Sequence, residues 1–166
     1  QQQQHTMGIK ETKKYLIVSK STGKALDWNT KAAQQLAPTH PRVFQWNPTP
    51  TAHNHHWVIA QQGNGNYVIY TGDKSKALDG NVKVAQVDAS HPHPFLWNPV
   101  PSAANHRWRF EKVGKKTYVI INESNGLALD GNTSDHVPNH DKNYRAPFLW
   151  TPNHGAVNHQ WELRKV

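Results

Sequence analysis

Three short runs of the sequence each combine asparagine, histidine and tryptophan, and an aspartate lies upstream of every run. The runs are Asn54-His55-His56-Trp57, Asn105-His106-Arg107-Trp108 and Asn158-His159-Gln160-Trp161. A histidine near a carboxylate can move protons, and with a serine or cysteine nucleophile it can catalyse acyl transfer. No serine keeps a fixed spacing from these runs, and the chain has no cysteine. The pattern therefore gives no support to a hydrolytic triad.

Other chemistries that depend on these residue types are also poorly supported. The 11 acidic residues are mostly isolated along the chain, whereas glycosidases need two carboxylates about 5–9 Å apart. The chain has 12 histidines, but spacings such as His-x-x-x-His lie in predicted loops beside prolines, with no cysteine or carboxylate constellation to complete a metal site. Glycine motifs for phosphate or dinucleotide binding are absent. We therefore expect a protein that is not an enzyme and that holds no metal or cofactor.

The same landmarks surround each run and define a three-fold internal repeat. A tyrosine, an Ala-Leu-Asp segment and a Phe-x-Trp segment precede every run: Tyr15, 25–27 and 44–46, then Tyr67, 77–79 and 95–97, then Tyr118, 128–130 and 148–150. Tyrosine to aspartate is 12 residues, and the Phe-x-Trp tryptophan to the asparagine is 8 residues, in all three copies. Only the aspartate-to-tryptophan distance varies, at 19, 18 and 20 residues. A fixed scaffold with one tolerant loop per copy has this pattern.

Each copy predicts four short strands, because its landmarks are rich in β-formers and are separated by turn signals such as Asn64-Gly65. No segment has helical periodicity over twelve residues. The expected fold is all-β, with twelve strands closed around a pseudo-three-fold axis so that sheet edges are removed. The strand periodicity predicts a shared core of Ile17, Leu26, Trp57, Ile59, Ile69, Leu78, Trp108, Phe110, Ile120, Leu129, Trp161 and Leu163.

The repeats are expected to form one domain over residues 13–166, divided at about 13–62, 63–114 and 115–166. Residues 1–12 begin with four glutamines and are predicted to be a disordered tail. No signal peptide is visible, although one already removed would leave no trace.

The composition indicates which classes of partner the chain can be expected to bind. A net charge of +8 and a pI near 9.8 favour acidic partners in general. The basic residues are scattered, however, so a solvated surface is the preferred interpretation and no nucleic-acid partner is expected. No apolar run approaches 18 residues, so no transmembrane segment is predicted. Without cysteine there is no disulfide, which leaves a cytoplasmic or a secreted location open, and the oligomeric state is open as well.

Three units of four strands, each with an Ala-Leu-Asp strand end and an Asn-x-x-Trp close, resemble the ricin B-type β-trefoil lectins. The resemblance spans residues 13–166. The closing motif of that family is Gln-x-Trp, and its glutamine position is occupied here by His55, His106 and His159. The family often carries a disulfide in each unit, which this chain lacks.

The resemblance implies carbohydrate binding through an aspartate, an aromatic residue and an asparagine in each repeat. These residues are Asp27, Trp46 and Asn54; Asp79, Trp97 and Asn105; and Asp130, Trp150 and Asn158. The C–H face of a sugar packs on an aromatic plane, and carboxylate and carboxamide groups bind its hydroxyls. A glutamine that the family often places two residues before the aromatic is replaced by Phe44, Phe95 and Phe148, so galactose specificity is not carried over. Such shallow sites imply affinities of roughly 0.1–1 mM each, which multivalency could raise.

Plainer roles remain open for each of these residues. The aspartates could be turn residues, the tryptophans of Phe-x-Trp could be core, and the asparagines and histidines could brace the loops. We expect repeats two and three to bind better than repeat one. The glycine after their aspartate, Gly80 or Gly131, would leave open space above the carboxylate, whereas Trp28 follows the aspartate of repeat one.

Two other functions remain open beside a lectin that binds glycans without catalysis. A protein-binding trefoil, such as a protease inhibitor, would act through the loops at 28–42, 82–94 and 131–147. The third loop is the best candidate and holds Asp135, His136, His140, Asp141 and Tyr144. A pH-responsive trefoil would use the 12 histidines to gain positive charge on acidification and bind acidic surfaces.

Overall fold

The computed structural model describes residues 8–29, 31, 40–85, 91–132 and 145–166. These residues form a 12-stranded sheet system, which confirms the predicted all-β class and strand count. The strands are β1 (Tyr15–Ser19), β2 (Ala25–Asp27), β3 (Phe44–Trp46), β4 (Trp57–Gly63), β5 (Asn66–Thr71), β6 (Ala77–Asp79), β7 (Phe95–Trp97), β8 (Trp108–Gly114), β9 (Thr117–Asn122), β10 (Ala128–Asp130), β11 (Phe148–Trp150) and β12 (Trp161–Lys165). A four-residue helix, α1 (Val82–Ala85), follows β6. No helix in the described part of the chain has the length and apolar content needed to cross a bilayer.

Six strands close into a barrel, and the remaining six form three hairpins. Strand β1 pairs with β4 and β12, β5 pairs with β4 and β8, and β9 pairs with β8 and β12. The pairs β2–β3, β6–β7 and β10–β11 are the hairpins. Closure leaves the barrel without a free edge, so its backbone groups are satisfied within the fold. This arrangement is the β-trefoil.

A ring of backbone hydrogen bonds joins the three hairpins to one another. The N–H of Leu96 donates to the carbonyl of Pro41, that of Leu149 to Pro92, and that of Gln45 to Arg145, at 2.7–2.8 Å. Each middle residue of a Phe-x-Trp segment is thereby held by the loop of the preceding repeat, and repeat three precedes repeat one in the ring. The residues before one Phe-x-Trp segment therefore lie beside the next one.

The core lies on the pseudo-three-fold axis and is built from equivalent residues of the three repeats. Trp57, Trp108 and Trp161 are 0% exposed. Each indole N–H donates to the carbonyl of the leucine in Ala-Leu-Asp of its own repeat, at 2.9–3.1 Å. The predicted core is confirmed except for Phe110, which is only partly buried against it. The tryptophans therefore hold the strands that end in the candidate aspartates.

The predicted tail needs a correction at its C-terminal end. Ile9 is 8% exposed and belongs to the core cluster. The N–H of Lys10 donates to the hydroxyl of Tyr15 at 2.9 Å. Ile9 therefore anchors residues 8–10 to the barrel, because burying an isoleucine offsets the entropy of ordering the segment. Residues 1–7 lie outside the described residues.

Candidate functional site

Each candidate aspartate is held in the same hydrogen-bond network. In repeat three, one oxygen of Asp130, Oδ1, accepts from Asn158 Nδ2 at 2.9 Å and from the N–H of Asn132 at 2.9 Å. The other oxygen, Oδ2, lies 2.8 Å from His159 Nε2. Equivalent contacts of 2.8–2.9 Å surround Asp27 and Asp79. The structure thus brings together the aspartate and the asparagine predicted for each site.

The histidines of the three runs have a fixed proton arrangement. Nδ1 of His159 accepts the N–H of Asn153 at 2.9 Å, so the ring proton must lie on Nε2, which donates to Asp130. His55 and His106 accept from Thr49 and Val100 in the same way. These imidazoles are 1–2% exposed and both nitrogens are occupied. They brace the loop that carries the asparagine, as the predicted replacement for a glutamine, and they have no free nitrogen to act as a general base.

The aspartates are almost completely buried but keep some capacity to accept. Asp27, Asp79 and Asp130 are 2–3% exposed, and each forms a turn by accepting the N–H two residues downstream. A carboxylate offers about four lone-pair sites, of which these contacts use three. The remaining site is on Oδ2. The turn role left open by the sequence is therefore observed.

The aromatic residues of the Phe-x-Trp segments divide between core and surface. Phe44, Phe95 and Phe148 are buried, whereas Trp46, Trp97 and Trp150 are 38%, 42% and 48% exposed. Alternation along a strand does not explain the division, because residues two apart share a face. The tryptophan is the last residue of each of these three-residue strands, and only this end position is exposed. The exposed indoles are aromatic surfaces beside the aspartates, so the alternative that they are core is wrong.

A cleft of about 780 Å³ lies in repeat three and is lined by all three of its predicted residues, Asp130, Trp150 and Asn158. Thr151, His154 and His91 also line it. No described residue donates to Oδ1 of Asn158. The cleft therefore combines an exposed indole with a carboxamide oxygen, a hydroxyl and one edge of a buried carboxylate.

Sequence reasoning missed the histidines that the sites of repeats two and three take from the preceding repeat. His91 of repeat two lies with its ring centroid 4.7 Å from that of Trp150, at an interplanar angle of 63°. His40 of repeat one lies 5.0 Å from Trp97 at 14°, so its ring is stacked on the indole. The signal was the recurring His-Pro pair four residues before Phe-x-Trp, at 40–41 and 91–92. The ring of backbone bonds between repeats brings them into contact.

Repeats one and two share a feature that repeat three lacks. Lys24 Nζ donates to Asn47 Oδ1 at 2.9 Å, and Lys76 Nζ donates to Asn98 Oδ1 at 2.7 Å, directly after the exposed tryptophans. Leu127 and Thr151 occupy these positions in repeat three. A cation therefore lies near two of the platforms, whereas the equivalent positions of the third carry no charge.

The explanation predicted for the glycines after the aspartates is wrong. Gly80 and Gly131 are buried, and a Cβ on them would lie 2.4 Å from Asn122 Nδ2 and 2.5 Å from Ser19 Oγ, respectively. They face the next repeat and leave no open space above the carboxylate. Trp28, at the equivalent position, packs against the core and donates its indole N–H to the carbonyl of His56 at 2.7 Å. It is therefore a junction residue and gives no second stacking surface.

Beside the cleft of repeat three, a small charge network holds His154. Its Nε2 hydrogen-bonds to Oε1 of Glu111, and Arg109 Nε donates to Oε2 of Glu111 at 2.8 Å. Partial burial alone would raise the pKa of Glu111, but the hydrogen bonds from Arg109 and His154 outweigh it and lower that pKa below its ordinary value. A carboxylate on β8 therefore orients a histidine of the cleft.

Several predicted features fall on residues that are not described. Most of the three loops proposed for protein binding lies there, including Asp135, His136, His140, Asp141 and Tyr144. Among the described residues, no group of three or more His, Cys, Asp or Glu side chains is arranged to hold a metal ion.

Comparison with solved structures places this fold among known trefoils. ThreeFoil, a designed three-fold symmetric protein, is 21% identical with a TM-score of 0.70, over 92% of this chain and 99% of that chain. The C-half of the earthworm R-type lectin, in complex with GalNAc, is 23% identical with a TM-score of 0.58, over 93% and 99%. An exo-β-1,3-galactanase from Clostridium thermocellum is 22% identical with a TM-score of 0.70, over 95% of this chain but 31% of that chain. At these identities the likeness establishes the fold.

The family comparison is made on sequence and is independent of the structural one. No curated protein matches the chain. The family model described as ricin-type β-trefoil lectin domain-like matches residues 1–86. That match covers more than half of the 166 residues. The chain therefore belongs to the ricin-type β-trefoil lectin domain-like family.

Proposed function

We propose that this protein binds carbohydrate without catalysis and that repeat three is its principal site. The observation that carries the proposal is the cleft of repeat three, where Asp130, Trp150 and Asn158 converge. The indole of Trp150 can pack on the C–H face of a sugar ring. Asn158 Oδ1 and the Thr151 hydroxyl can bind sugar hydroxyls, and Asp130 Oδ2 can accept one more hydrogen bond.

Repeat two is proposed as a weaker site and repeat one as a distinct one. The imidazole of His40 stacks on Trp97 and covers part of its indole, whereas His91 meets Trp150 at a steep angle. Lys24 adds a cation beside Trp46. The three sites are therefore expected to differ in affinity although their buried networks are alike.

The absence of catalysis is also a proposal, and the bracing histidines support it. Each Asp–His pair uses both imidazole nitrogens in structural hydrogen bonds, as in Asp130–His159. The related galactanase and the earthworm lectin place the same fold in an enzyme and in a sugar-binding protein. The site described here fits the second of these roles.

A glycan array followed by titration tests the function. N-acetylgalactosamine is the first titrant, and any glycan that the array retains is the next, with indole N–H signals followed by NMR. We expect the Trp150 signal to shift and Trp150→Ala to lose roughly tenfold or more in affinity, because stacking and burial contribute on the order of 1.5 kcal/mol. Val113→Ala is the control, since Val113 is an exposed apolar residue that does not line the cleft. An unchanged chemical shift of the Trp150 indole N–H at saturating glycan would contradict the proposed site in repeat three. An array that retains no glycan would contradict carbohydrate binding itself.

A further inference from the structure

The barrel has a second pocket, at the end away from the hairpins. It measures about 320 Å³ and is lined by Gly8, Lys10, Tyr15, Lys112, Lys115, Lys116, Tyr118, Leu163 and Lys165. Strand β1 runs from Tyr15 at this end to Ser19, where it leads into the hairpin β2–β3. The pocket therefore lies at the opposite end of the barrel strands from the candidate sugar sites.

Five lysines line this pocket, and its lining contains no carboxylate. The ion pairs of the described residues involve Arg109, Arg164 and several histidines, and none of the five lysines. Like charges that converge without a counterion repel one another and raise the potential of the space between them. An anion in the pocket would remove that repulsion.

One of these lysines occupies a backbone position that disfavours it. The hairpins β4–β5 and β8–β9 have the same register shift before their turns, which makes Lys116 the equivalent of Gly65. Gly65 has φ +76°, and Lys116 has φ +56°. This left-handed region suits glycine and disfavours residues with a Cβ. A lysine held there is an outlier of the kind that clusters at ligand-binding positions.

The size and chemistry of the pocket limit the class of ligand that it can bind. At roughly 30 Å³ per water molecule, the space corresponds to about ten waters. Lysine ammonium groups act as strongly hydrated point charges with three donors each. The floor carries the rings of Tyr15 and Tyr118, whose hydroxyls lie next to residues 8–10. A compact ligand of multiple negative charge matches this space, whereas a folded macromolecule does not.

We propose that this pocket binds a compact polyanion that carries phosphate or sulfate groups, independently of carbohydrate binding in repeat three. Lys10, Lys112, Lys115, Lys116 and Lys165 supply the charge. Lys116 is placed by its hairpin, whose carbonyl at Lys116 accepts the N–H of Leu163 at 2.9 Å and so fixes the turn on the barrel.

The test titrates the full chain with tripolyphosphate and, separately, with galactose 2,6-disulfate, by calorimetry at low salt. Lys116→Gly should weaken binding by about tenfold, the loss expected for one charge-assisted hydrogen bond, while it keeps or raises the unfolding temperature because the strain is removed. Lys74→Gly is the matched control. Lys74 also has a positive φ, +62°, and lies in another cleft with Lys13 and Asp73. The variant Lys74→Gly removes the same charge and the same backbone strain, and it should leave the affinity for the polyanion unchanged.

Each outcome decides the proposal. Binding of tripolyphosphate alone assigns the natural ligand to phosphate compounds, and binding of galactose 2,6-disulfate alone assigns it to sugars that carry several sulfates. Failure of both ligands to bind overturns the proposal, as does an equal loss in Lys116→Gly and Lys74→Gly, which would reveal a general charge effect. Trp150→Ala should retain full polyanion binding, and a loss there would contradict the placement of the site. Because that variant removes the proposed sugar platform, the test of polyanion binding is separate from the test of carbohydrate binding.

Discussion

At the residue scale, the three aspartates and their histidines act as fixed structural units. Both oxygens of Asp130 accept hydrogen bonds. The imidazole of His159 donates to Asp130 and accepts the backbone N–H of Asn153, so it links the carboxylate to that backbone. Buried networks of this kind are rigid when every group is satisfied and costly when one group is wrong. The groups proposed to bind sugar, Trp150 and Asn158, are built on this rigid base.

Asp130→Asn should destabilise the fold by about 1–3 kcal/mol, because it turns one acceptor into a donor. The new amide would face His159 Nε2–H, and that proton cannot move to Nδ1, which already accepts from Asn153. Urea unfolding followed by circular dichroism measures the change. Asp73→Asn is the control, since all three hydrogen bonds to Asp73 go to Oδ1 and an asparagine oxygen keeps them. If Asp130→Asn were as stable as the parent, the hydrogen bonds to the Asp130 carboxylate would not contribute to stability as described.

The lowered pKa of Glu111 predicts a contribution to acid sensitivity. Since the folded pKa lies below the unfolded value of roughly 4.3, Glu111 contributes stability above that value, and this is lost as pH falls through the folded pKa. The difference in unfolding free energy between the parent and Glu111→Gln should therefore shrink as the pH drops from 6 toward 3. Denaturant titrations at several pH values measure it. A difference that stays constant across the range would argue against the Arg109 and His154 hydrogen bonds to Glu111.

At the scale of elements, the residues that meet at the junctions between repeats fit one another closely in size. Trp28 donates its indole N–H to the carbonyl of His56 at 2.7 Å, and a Cβ on Gly72 of repeat two would lie 2.9 Å from the same residue. Gly80 fits against Asn122, which donates to the carbonyl of Asn105 at 3.0 Å. The junctions therefore connect one candidate site to the first strand of the next repeat.

Gly80→Ala should cost about 1–3 kcal/mol in the free energy of unfolding, because its methyl group would overlap Asn122. The calculated approach of 2.4 Å is to a side chain that is itself hydrogen-bonded and cannot move freely. Thermal and urea unfolding measure the loss. Gly155→Ala serves as the control, since its nearest neighbour would lie at 3.7 Å. If the two variants were equally stable, the junction would be looser than described.

At the scale of the whole molecule, one core serves all three repeats. The barrel strands alternate around the axis, and the buried tryptophans of the repeats belong to a single cluster. Outside it, the described residues form two clusters of three residues, one in repeat one and one in repeat three, which are too small to hold a repeat together alone. Loss of one buried tryptophan should therefore lower the stability of the entire chain in a single cooperative transition.

Trp161→Ala should destabilise the protein by about 3–5 kcal/mol through the cavity it leaves, and it also removes the indole N–H that donates to Leu129 at 2.9 Å. Trp150→Ala is the matched control for this loss, because its indole is 48% exposed and should be dispensable for stability. Urea unfolding followed by circular dichroism avoids the change in fluorescence. A Trp161→Ala midpoint equal to that of the parent would contradict the core assignment.

The sequence by itself determined the three-fold repeat, the twelve strands and nearly all of the core. These follow from constant spacings and from alternation along short strands, which are local properties of the chain. It also singled out the aspartate, tryptophan and asparagine that converge in repeat three, although the convergence itself depends on how each strand and its closing run are folded together.

Only the tertiary structure decided what lies between the repeats. It showed that His91 reaches Trp150, that Gly80 faces Asn122, and that lysines from both ends of the chain and the β8–β9 hairpin surround one pocket. These contacts join residues far apart in sequence, so no local pattern encodes them. They are set by closure of the barrel, which brings the first and last strands together and places each loop beside the next repeat.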